Sequence, residues 1–159
     1  MTARTTPSFR VHALPASVLD RARDGGPDAW GAPPERLTAE GGEPLRCCLT
    51  DARPGEPLLL FGHRPPLPPS PYREAGAVLA HAAPCAGPAH GDGCPPAWRG
   101  RPQVLRAYDA RGRIHDATTV HDGTDPEAVI AAQFAHPEVV QIHSRNIAWG
   151  CFMFRVTRE

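Results

Sequence analysis

Between Arg64 and Pro71 the chain reads Arg-Pro-Pro-Leu-Pro-Pro-Ser-Pro, a proline run broken only by Leu67 and Ser70. Proline has no amide hydrogen and a fixed φ, so this segment is barred from a helix interior and from a central strand. It reads as a stiff, extended surface spacer rather than a ligand for an aromatic groove. The same restriction recurs throughout: 20 prolines and 15 glycines in 159 residues make much of the chain loop. The regular elements must therefore be short, and residues 26–46 read as an ordered loop or cover.

What remains reads as about seven short strands and two helices. Phe9 to Ala13, Leu58 to Phe61 and Ala77 to Ala82 have strand character. A short helix opens at Pro15 and stops at Gly25-Gly26. A second spans 125–136, with Thr124 and Glu127 as a capping box, Pro126 at its first position and Ile130 and Phe134 on one face. Val104 to Tyr108 and Ile114 to Val120 form a hairpin around Asp109–Gly112, with Gly112 left-handed and Arg106 opposite Asp116.

The last hairpin carries the clearest alternation. With a loop over 146–150, Val140, Ile142 and Ser144 face Val156, Phe154 and Phe152 on an apolar side. Gln141, His143 and Arg145 face Arg155, Met153 and Cys151 on the other. That register places His143, Arg145 and Cys151 together, away from the main core. The fold class is α+β: one domain over 1–159 with a flexible segment at 1–8, and a mainly antiparallel sheet that can close towards a barrel.

Equal numbers of basic and acidic residues, 17 each, argue against a nucleic-acid binder. No apolar stretch reaches membrane-spanning length and the start of the chain has no apolar leader, so the chain is expected to be cytoplasmic. In that setting its five cysteines are reduced thiols rather than a disulfide framework.

Chemistry concentrates in three motifs. Cys47-Cys48 offers a reactive thiol, a redox pair or a metal ligand. If the pair lies on a strand the two thiols point to opposite faces, and Cys48 is the one expected at a site. His81-Ala-Ala-Pro-Cys85 can share a metal or form a thiolate–imidazolium pair. His143-Ser-Arg145-Asn146, followed by Trp149-Gly-Cys151, offers an anion-binding fork with Arg46 nearby. Cys48, His81, Cys85 and His143 are the candidate catalytic residues. Arg46, Arg145, Asn146, Trp149 and Cys151 are the candidate substrate contacts. Metal candidates are His81, Cys85, His143 and Cys151, with Cys47 or Cys48 as alternatives to the last; zinc or iron suits such a set. Cys94, in a Gly/Pro-rich loop, is set aside.

Together Arg46-Cys-Cys-Leu49, Pro54-Gly-Glu56, Pro71-Tyr-x-Glu-x-Gly76, His81-Ala-x-Pro-Cys85, Arg106-Ala-Tyr-Asp-Ala110, Arg145-Asn-x-x-Trp-Gly-Cys151 and Phe154-Arg-Val156 resemble the bacterial domain-of-unknown-function family 1203. The resemblance runs from about Phe9 to Arg158. It implies a single cytosolic bacterial domain and places Cys47, Cys48, Cys85 and Cys151, but not Cys94, in the family pattern. His63 stands where that pattern implies tyrosine. The expected function is a small enzyme acting on an anionic small molecule, in specialised metabolism, through a Cys/His/Arg pocket. The alternatives are a non-catalytic metal- or redox-binding module and a small-ligand-binding domain with structural cysteines.

Overall fold

Two open five-stranded sheets, rather than one closing sheet, organise the chain. The computed structural model describes residues 7–159; residues 1–6 of the expected flexible segment 1–8 lie outside the described residues. The elements run β1 (Phe9–His12), α1 (Ala16–Arg23), β2 (Glu35–Thr38), β3 (Pro44–Leu45), β4 (Thr50–Asp51), β5 (Pro57–His63) and β6 (Gly76–His81). A single 3-10 turn at Pro96–Trp98 leads to β7 (Gln103–Tyr108), β8 (Thr119–His121), α2 (Pro126–Phe134), β9 (Gln141–Asn146) and β10 (Phe152–Arg158). The α+β class with two helices is as expected, but there are ten strands among the described residues and no closed barrel. The extra strands β2, β3 and β4 are two to four residues long and lie in Pro/Gly-rich sequence. Such segments carry no alternation of their own, and neighbours such as β5 and β6 supply their hydrogen bonds. No helix of the described residues is long and apolar enough to cross a membrane.

The first sheet has the order β1-β10-β9-β7-β8, all antiparallel. The second has the order β2-β5-β6-β3-β4, antiparallel except for the parallel pair β3–β6. Helix α2 packs Ile130 and Phe134 into the first core with Leu105, Ile142 and Val156. Its Gln133 side chain donates to the carbonyls of Leu105 and Ala117, at 2.9 Å each, and so fixes the helix to the sheet. Its cap is Asp125, which accepts from the Ala128 amide, not Thr124, whose hydroxyl bonds Asp122. Helix α1 packs Leu19 and Ala22 into the second core with Leu59, Val78 and Ala80.

The terminal hairpin keeps the expected faces for Ile142, His143, Phe154 and Val156, but not the expected register, and it exchanges the sides of Phe152 and Met153. Ile142 pairs with Val156, His143 with Arg155 and Arg145 with Phe152, and a bulge lies between Phe152 and Phe154. Arg145 therefore does not face Cys151. A slip of two residues preserves the side of each side chain up to Phe154, so alternation cannot detect it, and the bulge takes one residue of it back, which turns Phe152 towards His143 and Met153 into the first core. In the other hairpin Gly112 is left-handed as expected, with φ 74°. Tyr108 bridges Ile114 there, but residues 115–118 turn out of the ladder and the Thr118 hydroxyl takes over the Ala107 amide. Arg106 thus lies beside His143 of β9, not opposite Asp116, and its side chain reaches Glu74.

The proline run is more than a spacer. Its inward residues Pro65 and Leu67 are buried, as is His63 at the end of β5 just before it, and it covers the polar face of the β9–β10 hairpin. The Ser70 hydroxyl donates to the Gly112 carbonyl at 2.7 Å, and Glu74 bridges Arg106 and Arg145. The face holding His143 is therefore interior.

Candidate metal centre

The double cysteine lies in a helical turn between β3 and β4, not on a strand. The Leu49 amide donates to the Leu45 carbonyl at 2.9 Å, and Leu49 closes the turn with a left-handed φ of 57°. Successive side chains on such a turn are separated by about 100°, not 180°, so neighbours can share one side. Cys47 and Cys48 do so, with their sulfurs 4.0 Å apart. The expectation that only one thiol reaches a site came from strand geometry that this turn lacks.

Parallel pairing aims the turn at the end of β6. Leu45 pairs with Leu79, and the Arg46 amide donates to the Leu79 carbonyl at 2.8 Å. His81, the last residue of β6, therefore meets both thiols. Its Nδ1 is 3.5 Å from Cys47 Sγ and 4.0 Å from Cys48 Sγ, and its amide donates to Cys47 Sγ at 3.3 Å. The chain then bends at Ala82 and Ala83 and brings Cys85 back. One ligand atom from each of Cys47, Cys48, His81 and Cys85 lies within 4.8 Å of every other. A tetrahedral zinc with bonds of about 2.0–2.3 Å has edges of about 3.5–3.8 Å. The measured separations of 3.5 and 4.0 Å are close to that frame.

The surroundings favour thiolate at Cys48 and Cys85 and the neutral thiol at Cys47. The hydrogen bond from Cys47 holds the Cys48 thiol well below the ordinary thiol range, against its burial and with help from Thr50. The same bond, together with burial, pushes Cys47 up. Burial works against a charged Cys85, but its bonds with His81, the Gly87 backbone and Cys47 together outweigh it and lower the thiol. Burial works against a charged His81, but bonds to Cys85 and Glu56 outweigh it and raise the imidazole. Glu56, just before β5, holds His81 Nε2 at 2.7 Å. The four side chains can hold one soft transition metal with a carboxylate behind the histidine.

The other expected site residues lie elsewhere. His143 is 1 % exposed, between Tyr108 and Phe152, and its Nε2 is 3.0 Å from Gln141 Oε1. Burial leads in lowering it to about 3, and Arg145, Arg155 and Arg106 add to the effect. Arg46, Asn146, Trp149 and Cys151 line a cavity of about 560 Å³, walled by Leu60, Ala77 and Leu79. Arg145 lines a smaller neighbour of about 290 Å³ that shares Trp149 and Cys151. None of the four cluster residues lines either cavity, although Arg46 and Leu79 adjoin the cluster in sequence. Cys94 is buried in the first core, away from the other thiols, and burial raises it to about 12.

Sequence reasoning preferred Cys48 over Cys47, keeping Cys47 only as an alternative metal ligand, and missed Glu56. The usable signal for Glu56 was its place in the Pro54-Gly-Glu56 motif. It also missed a looser group of His115, His136 and Glu138, whose last two members are exposed. A family model with the description "Protein of unknown function (DUF1203)" matches residues 42–158, a span that includes all four cluster residues and Glu56. No curated protein and no solved structure matches the chain.

Proposed function

The chain belongs to the DUF1203 family, and from that premise we propose that it is a zinc-binding domain in which Cys47, Cys48, His81 and Cys85 hold one structural ion. The observation that carries this reading is the mutual approach of four soft ligand atoms within 4.8 Å. Three thiolates and one imidazole suit zinc best among common ions. Four protein ligands fill a tetrahedral shell, the pattern of a structural rather than a catalytic centre. The ion would tie the β3–β4 turn to the end of β6 and to the loop after it.

Elemental analysis of protein purified without a histidine tag tests this directly. One zinc per chain is expected, lost in Cys85→Ser and His81→Ala and kept in Cys94→Ser. A folded, metal-free chain whose thiols all titrate freely overturns the proposal. Iron in the same ratio changes the ion assigned but not the ligands.

A second proposal is the thiol enzyme acting on an anionic substrate. What favours it is Cys48 Sγ lying 4.0 Å from both Cys47 Sγ and His81 Nδ1, an arrangement that lowers the Cys48 thiol, since a thiolate is the reactive form. Against it, Cys48 is 8 % exposed and does not line the cavity beside Arg46. Rapid, selective alkylation of Cys48 in zinc-loaded protein would favour the enzyme. Protection of Cys48 until the metal is chelated would favour the structural centre.

A further inference from the structure

We propose that the cavity between the two sheets binds a small monocarboxylate with an apolar body, and that Arg46 anchors its charge. This goes beyond the metal reading and does not rest on it. Arg46 is 3 % exposed. Its Nε donates to the Phe152 carbonyl at 2.8 Å and its Nη1 to the Pro44 carbonyl at 2.5 Å, so it spans from the second sheet to the first. No carboxylate among the described residues pairs with it, and its Nη2 donates to no described residue. Four other arginines are paired with carboxylates: Arg145 and Arg106 with Glu74, Arg101 with Asp51, Arg99 with Glu127. An enclosed cation without a counter-ion is costly, and a site that takes an anion from outside relieves that cost.

The walls determine what that anion carries. Arg46 opens onto the cavity of about 560 Å³, whose sides are Leu60, Ala77 and Leu79, with the largely exposed Trp149 at its mouth. Asn146 adds an amide that can donate to a carboxylate oxygen. The acidic residues at the rim do not cancel the arginine. Both oxygens of Glu43 accept backbone amides, from Glu40 and Gly41 at 2.8 Å each. Glu40 is exposed, so water and salt screen it. A volume of this size admits a ligand of drug-like dimensions, and such sites pair apolar walls with a few polar anchors. Arg145 is excluded as anchor because Glu74 neutralises it.

The competing account makes Arg46 only a staple between sheets. The two are separated with the full chain labelled in ¹⁵N, titrated with 4-phenylbutyrate, with its neutral analogue 4-phenylbutyramide, and with inorganic phosphate. Saturable shifts at the Trp149 indole and Asn146 amide are expected with phenylbutyrate, and at least tenfold weaker binding of the amide. Ala77→Trp, which fills the cavity and leaves the bonds of Arg46 in place, should abolish the shifts without lowering the melting temperature. Arg46→Lys should weaken binding, and if that chain does not fold the Ala77 variant decides alone. The proposal is overturned by the absence of saturable shifts at millimolar phenylbutyrate, by equal binding of acid and amide, by binding that survives Ala77→Trp, or by phosphate binding there in preference to the carboxylate.

Discussion

His81 Nε2 lies 2.7 Å from Glu56 Oε2, while the other oxygen of Glu56 accepts the Arg53 amide at 2.6 Å. The carboxylate is thus held from behind and fixes the imidazole with its proton on Nε2. That leaves the Nδ1 lone pair facing the Cys47 and Cys48 sulfurs. Glu56→Gln keeps the shape but weakens this orientation. Metal affinity is expected to fall about 10- to 100-fold, the usual effect of losing such a partner, while the fold is retained. Competition against a chromogenic chelator measures it, and unchanged affinity would show that Glu56 does not act through the histidine.

Removing the ion should loosen the turn that joins the two cores. Cys47 and Cys48 belong to the second core, whereas Leu49, next in the same turn, is buried in the first. Ligands that bind only the folded chain stabilise it by mass action, and metal binding is in this sense folding energy. For a chain of this size each kcal/mol lost lowers the melting temperature by about 2–4 °C. Chelation should therefore lower it by well over that increment in the wild type and in Cys94→Ser, and should leave Cys85→Ser, already metal-free, unmoved. An equal response to chelator in all three chains would refute the assignment of ligands.

Much of this was legible in the sequence, and the exceptions share a cause. Pro126, Ile130 and Phe134 marked α2, and Gly112 marked its turn, because each acts through local chemistry. The faces of Ile142 and His143 were legible because alternation has a period of two. Their partners were not, since a two-residue slip leaves the faces intact. Pro44–Leu45 and Thr50–Asp51 become strands only through neighbours distant in sequence. The convergence of Cys47 with Cys48 follows from the turn ended by Leu49, and an isolated Leu carries no mark of a left-handed φ. His143 looked available because its hairpin face is polar, but the proline run that buries it is eighty residues earlier in the chain.

That burial makes the protein sensitive to acid. Burial is the main reason that His143 is lowered to about 3 and His63 to about 4, with Arg145 and Arg155 adding for His143 and Arg46 for His63. An unfolded chain protonates both near the ordinary value of about 6.5, so below that pH the unfolded state binds protons the folded state refuses. Stability is full above the unfolded value and declines as pH falls towards the folded ones, by up to about 1.4 kcal/mol per pH unit for each histidine. His143→Gln should flatten the fall in urea midpoint between pH 7 and pH 4 by the share of one proton. Acid release of the metal is common to both chains and cancels in the comparison. Parallel curves would mean that His143 is charged inside the fold.

The cover over His143 rests on Gly112. Its φ of 74° disfavours any side chain, and a Cβ there would meet the Pro68 carbonyl oxygen at 2.8 Å. Gly150, with φ 70°, has nothing within 4 Å of the equivalent position. Alanine at either site incurs the backbone strain of a left-handed residue, about 1 kcal/mol. Only at Gly112 must the proline run also move, and with it the Ser70 hydroxyl bond to the Gly112 carbonyl. Gly112→Ala should therefore destabilise by about 1–3 kcal/mol more than strain alone, within the range of overpacking. It should also speed amide exchange along β9, which the run covers, whereas Gly150→Ala should not. Equal losses and equal exchange in the two variants would reduce the proline run to the plain spacer that its composition suggests.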